Sequence, residues 1–167
     1  MDGKLWAYED FVEGAVIELA TKTVSKEEIV EFASEFDAQP MHLDEEAGTA
    51  SILGGLSASG WHTSAMFMRM MCDGFLLRST SQGSPGITEL KWRKPVLAGD
   101  TLTGHSKVLS KRELKSRPGI GLVTFRHSVS NQRGETVLEM ENPIMFALRR
   151  ATASARKSES IFGKHDA

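Results

Sequence analysis

The sequence predicts an α+β domain in which an antiparallel sheet curls around one long, buried helix. Two observations carry this. The stretch SASGWHTSAMFMRMMCDGFLL, residues 57–77, is apolar around most of a helical circumference, as a helix inside a domain must be. Beyond it the chain changes period. ITELKW, TLTGHSKVLSKRELKS, LVTFRHSVS and TVLEMENPIMFALRR follow one another as extended runs separated by turn-rich connections. A helix first and a meander after it place the two kinds of element around one core.

The elements follow in order. After a loop, WAYEDFVEG, the stretch AVIELATKTVS alternates at Ile17, Leu19 and Thr21, as a strand does. Ser25 followed by Glu28 forms a capping box, and Ile29, Phe32, Ala33 and Phe36 then recur on one helical face. Pro40 disfavours helix at Gln39, so this helix is expected to end near Phe36, with Asp37 on turning backbone. Asp44 caps a short helix, DEEAGTAS, before the flexible Gly54-Gly55 pair.

The central helix is expected from about Gly60 to Leu77, with Met66, Phe67, Met68, Met70 and Met71 in the core. Ser59, His62, Arg69 and Asp73 share one face of it. Among the strands, Val123, Phe125, His127 and Val129 point one way, and Pro143 marks a bulge or an edge. One domain over residues 1–150 accounts for these elements. The tail 151–167 lacks a core pattern and is expected to be disordered or loosely docked.

The 167-residue length suits a single domain. A net charge of −2 gives no electrostatic basis for binding nucleic acid or an anionic membrane. The single cysteine, Cys72, cannot form an internal disulfide and fits a reducing compartment. Acids interrupt the N-terminal MDGKLWAYEDF, and no run approaches the ~18 apolar residues of a membrane span. A cytoplasmic location is expected.

A buried helix wrapped by four long antiparallel strands is the layout of a hot-dog fold. One such sheet leaves an edge strand unpaired and one side of the helix uncovered, so a homodimer or a dimer of dimers is expected. Three segments, FDAQPMHLDEEA, ASGWHTSAMFMRM and RKPVLAGDTL, resemble the MaoC-like dehydratases and (R)-specific enoyl-CoA hydratases. The resemblance runs from about Tyr8 to Arg149. That family's signature, aspartate, a variable residue, Asn, Pro, an aliphatic residue and histidine, is matched by Asp37, Ala38, Gln39, Pro40, Met41 and His42. Three positions depart from it: Gln39 stands for Asn, Phe36 for Gly, and SGWH replaces an HG pair at the start of the helix.

The resemblance implies a hydro-lyase acting at the double bond of a 2-enoyl-CoA or related acyl thioester. Asp37 and His42 would polarise the water, with Asp37 as base and His42 as donor, an order the residue types leave open. The enolate oxygen needs N–H donors, and the start of the buried helix has them. Gly60 is the candidate backbone donor, and a preorganised donor of this kind lowers a barrier by about 3 kcal/mol. Ser59, Trp61 and His62 complete the candidate substrate-binding set, His62 as a wall residue. Arg93-Lys94 could meet coenzyme A phosphates, although a solvated loop is the simpler reading. No metal site is expected, because the spacing of His42, Asp44, Glu45 and Glu46 matches no strong metal motif. No cofactor is expected beyond the coenzyme A that the substrate carries. A thioesterase on the same fold and a non-catalytic acyl-CoA-binding protein are the alternatives.

Overall fold

The computed structural model describes residues 5–150, and the expected tail, 151–167, lies outside them. The elements are β1 (Val16–Glu18), β2 (Lys22–Thr23), α1 (Lys26–Phe36), α2 (Pro40–Leu43), α3 (Glu45–Ala50), α4 (Gly60–Gly74), β3 (Glu89–Trp92), β4 (Thr101–Glu113), β5 (Ile120–Ser130) and β6 (Thr136–Ala147). Short 3-10 turns occupy Tyr8–Asp10 and Leu76–Arg78. The sheet is antiparallel, in the order β1-β4-β5-β6-β3, and β2 pairs with the start of β4. This is the α+β hot-dog arrangement predicted from the sequence. No helix among the described residues is long and apolar enough to cross a membrane.

The long strands alternate because one face is buried. Leu102 and Val108 on β4, Val123, Phe125 and Val129 on β5, and Leu138, Ile144 and Phe146 on β6 form one buried cluster with Met66, Phe67, Met70 and Met71 of α4. Each such side chain contributes roughly 1.5–3 kcal/mol by leaving water. Met68 does not join them. It stands 46% exposed on the outer side of α4, one residue off the inward stripe.

Three other expectations are refined. Helix α4 stops at Gly74, and Leu76–Arg78 form a 3-10 turn rather than a continuation to Leu77. The polar face of α4 divides: Ser59 and His62 are buried beside α1, whereas Arg69 and Asp73 pair with each other in solvent at 2.8 Å. Only the first turns of α4 lie under α1, so the same helical face is covered at one end and wet at the other. Pro143 lies inside β6 opposite Thr124, but beyond the last β3 pair, Glu89 with Glu141, so its missing N–H falls where β3 has ended.

One inward-facing position of β5 is polar. His127 is fully buried; its Nδ1 accepts from Ser106 Oγ and its Nε2–H donates to Asn142 Oδ1, both at 2.8 Å. The neutral ring is thus satisfied on both nitrogens, and burial pushes its pKa down to about 4.

Candidate active site

Two helix ends meet at the site. Ser25 caps α1 in the expected capping box with Glu28, and α1 runs to Phe36. Asp37 is its C-cap residue, with its N–H donated to Ala33 O at 2.9 Å. Pro40 then starts α2, a single turn whose fixed φ suits a first helical position. That turn brings His42 inward to 5% exposure. The sequence suggested only turning backbone here. On the other side, Ser59 caps α4, accepting from Trp61 N–H at 3.3 Å.

Four contacts fix the pair. Ser59 Oγ donates to Asp37 Oδ2 at 2.6 Å, and Gln39 Nε2 donates to Asp37 Oδ1 at 2.7 Å. His42 Nδ1 is 2.8 Å from the carbonyl oxygen of Ser57. A carbonyl only accepts, so Nδ1 carries a proton and the Nε2 of a neutral ring keeps its lone pair. That Nε2 faces Asp37 Oδ2 across 3.6 Å. The Ser59 hydroxyl, then Gln39, and also the charge of His42 when protonated, hold the Asp37 carboxyl below its ordinary pKa. Asp37 is therefore a stabilised carboxylate, and His42 presents a ring nitrogen to the same gap.

His42 also lines a cavity of about 370 Å³. Its walls include Met41, Leu53, Ala58, Gly60, Trp92 and Val96, and the exposed Arg93 and Lys94 border it as well. The volume falls at the lower end of the range for small-molecule sites. Gly60 lies at the first position of α4, and no acceptor among the described residues takes its N–H. A Cβ at Gly60 would lie 2.7 Å from the Trp92 indole, so the space beside this glycine is filled by that ring. Trp92 is held in turn by its N–H donated to Ser64 Oγ at 3.1 Å and by edge contact with Trp61 at 5.3 Å.

The other candidates are placed differently. Trp61 is 62% exposed on the outer side of α4, beside Trp92. His62 turns toward α1, where it stacks on Phe32 at 4.7 Å and approaches Glu28 to 3.7 Å. Burial pushes the pKa of His62 down, and its Nδ1 has no hydrogen-bond partner. Neither residue borders the cavity. Two participants escaped the sequence reading. Ser57 acts on His42 through its backbone carbonyl, which no side-chain pattern reveals. Trp92 resembles any strand aromatic until the missing side chain of Gly60 is seen against it.

Comparison with known proteins agrees with the fold. Residues 10–130 match the family model described as the MaoC like domain. The crystal structure of the MaoC-like dehydratase from Rhodospirillum rubrum superposes with a TM-score of 0.79 at 40% identity, covering 86% of this chain and 97% of that one. An uncharacterised protein of Bacillus subtilis (strain 168), YdeM, is 31% identical over 138 residues, 82% of this chain and 96% of its own length. The R-hydratase PhaJ1 from Pseudomonas aeruginosa shares the fold, with a TM-score of 0.69 at 24% identity, over 86% of each chain.

Proposed function

Because this chain belongs to the MaoC-like domain family, we propose that it is a hydro-lyase that adds water to, or removes it from, the double bond of a 2-enoyl thioester. The observation that carries this reading is the 3.6 Å gap between Asp37 Oδ2 and His42 Nε2, with His42 lining a cavity of largely apolar wall. A water held there donates one hydrogen to the carboxylate and one to the imidazole.

The hydrogen bonds favour His42 as the group that handles the transferred proton. Both Asp37 oxygens already accept hydrogen bonds, which weakens the carboxylate as a base. As the water oxygen bonds to the β-carbon, its proton passes to His42 Nε2 and the double-bond electrons move to the thioester oxygen. The Gly60 N–H, at the positive end of α4, stabilises that enolate oxygen. Collapse of the enolate takes the proton from Nε2 to the α-carbon. The product is a 3-hydroxyacyl thioester, and both residues are regenerated. Asp37 orients the water and stabilises the imidazolium in this scheme, in place of the base role first assigned to it with the resemblance.

Assembly completes the reading. Trp61, Ala65 and Met68 lie along the outer side of α4, and β3 is an edge strand of the sheet. A second copy packed on this face would cover the helix and extend the sheet across β3.

The deciding experiment incubates purified protein with a panel of 2-enoyl-CoAs and follows loss of the conjugated-thioester absorbance. Hydration is expected, and Asp37→Asn and His42→Ala should each lower it by about 10²–10⁴-fold in folded protein. Release of free coenzyme A thiol in place of hydration would favour the thioesterase alternative. Binding without turnover would favour the acyl-CoA-binding one.

A further inference from the structure

Ser64 lies one helical turn beyond Gly60 on α4, and its hydroxyl has two partners. It donates to the Gly60 carbonyl oxygen at 3.1 Å and accepts the Trp92 indole N–H, also at 3.1 Å. One side chain thus ties the glycine assigned to the thioester oxygen to a ring on the edge strand β3. That ring stands where the glycine lacks a side chain. The three atoms nearest to a Cβ built at Gly60 all belong to the indole, at 2.7 to 3.0 Å. Trp61 meets the same ring edge-on. Trp92 is 45% exposed, yet these contacts on both sides keep it from turning aside.

A wall fixed in this way discriminates by shape. In the hydration reading the thioester oxygen sits on the Gly60 N–H and the β-carbon at the gap beside His42. The α-carbon then lies between them, in the cavity that Gly60, His42 and Trp92 all line. That carbon is trigonal. Two of its bonds go to the carbonyl carbon and the β-carbon, and the third points away from both, into the space next to Gly60. The nearest side chain there is the indole. A hydrogen on the third bond clears the ring. A methyl group requires the ring to yield, and added bulk is costly where the surroundings cannot relax.

We propose that Trp92, braced by Ser64, determines specificity at the α-carbon: it admits 2-enoyl thioesters bearing an α-hydrogen and excludes those bearing an α-methyl group. Ser64 is a positioning residue that acts through the ring. This assignment rests on the hydration reading for the placement of the carbonyl and the β-carbon.

The test measures kcat/KM of wild type, Trp92→Leu, Ser64→Ala and Ser64→Thr on three coenzyme A thioesters: 2-butenoyl, 2-methyl-2-butenoyl and 2-hexenoyl. Wild type should prefer the unbranched 2-butenoyl thioester over its 2-methyl counterpart by about 100-fold. Trp92→Leu should narrow that ratio about tenfold. Ser64→Ala should narrow it in the same direction by releasing the ring, whereas Ser64→Thr, which keeps the hydroxyl, should stay near wild type. The ratio of 2-hexenoyl to 2-butenoyl turnover should not move, because a longer chain adds nothing at the α-carbon. Equal turnover of the branched and unbranched substrates by wild type overturns the proposal. So does a ratio that Trp92→Leu leaves unmoved, or an equal gain on the 2-hexenoyl thioester, which would mean only a larger cavity. Circular dichroism checks folding, and if Trp92→Leu does not fold, Ser64→Ala decides alone. If no thioester is hydrated, the hydration reading fails by itself. Calorimetric titration with the saturated butanoyl-CoA and 2-methylbutanoyl-CoA then decides the role of the wall. Weaker binding of the branched ligand by wild type, relieved in Ser64→Ala, supports it, and equal binding of the two overturns it.

Discussion

Ser59 Oγ donates to Asp37 Oδ2 at 2.6 Å, joining the start of α4 to the end of α1. One hydroxyl thus caps the central helix, orients the carboxylate beside His42 and makes the largest contribution to lowering its pKa.

Replacing Ser59 by Ala should act through this bond. The Asp37 carboxyl would lose the donor that does most to keep it ionised, so its pKa should rise. The reaction as proposed needs the carboxylate, and the acidic limb of the kcat/KM–pH profile should therefore move to higher pH. Loss of the helix cap should also cost about 1 kcal/mol of stability. A variant whose acidic limb stays where the wild type has it would show that Asp37 ionisation does not govern the rate.

Gly60 and Trp92 form a second coupled pair. A methyl group at position 60 would press on an indole already fixed by Ser64. Gly60→Ala should destabilise the fold by roughly 1–3 kcal/mol and lower turnover. Adding Trp92→Leu should recover much of the stability, because the smaller side chain can yield. A thermal-unfolding double-mutant cycle measures this, and strictly additive effects would argue against direct contact.

The outward face of α4 gives a test of assembly. Met68→Glu places a charge on the proposed dimer face, far from Asp37 in sequence and outside the cavity wall. Sedimentation should show wild type as a dimer and the variant shifted toward monomer at micromolar concentration. Wild type sedimenting as a stable monomer would remove the second copy from the account.

His127 makes stability depend on pH. Its folded pKa of about 4 lies below the 6.5 of an exposed histidine. Between these values the unfolded chain binds the proton and the folded chain does not. Stability is therefore fully present above pH 6.5 and falls as the pH drops toward 4, by on the order of 3 kcal/mol. His62, also pushed down by burial, acts in the same direction. Urea unfolding at several pH values should show a shallower slope for His127→Gln than for wild type across this window. Parallel slopes would mean that the ring titrates normally in the fold.

Much of the architecture was legible because it rests on periodicity. The capping box at Ser25 and Glu28, the ends of α1, and the four strands follow from local patterns that the core then enforces. Asp37 and His42 were found through a short motif, and the turn between them keeps them near each other whatever the rest does. Met68 was misplaced because nearly every position around it on α4 is apolar, so hydrophobicity alone does not tell inside from outside. The single turn of α2 is too short to show a period. The Ser57 carbonyl and the meeting of Gly60 with Trp92 depend on contacts made only when distant segments close, and no local pattern encodes them.

The pairing of β1 with β4 bears on how the molecule forms. Val16 lies opposite Lys107, roughly ninety positions along the chain, and such distant pairings slow folding because the intervening loop must close before they contribute. The hairpins of β4, β5 and β6 and the contacts among α1, α2 and α4 are far more local. A folding intermediate is therefore expected to hold the reactive pair and the three long strands before the N-terminal segment docks, leaving the free edge of β4 open to another chain. Crowded expression should capture this protein at that step, and the aggregates it forms should be seeded through β4 rather than through the helix.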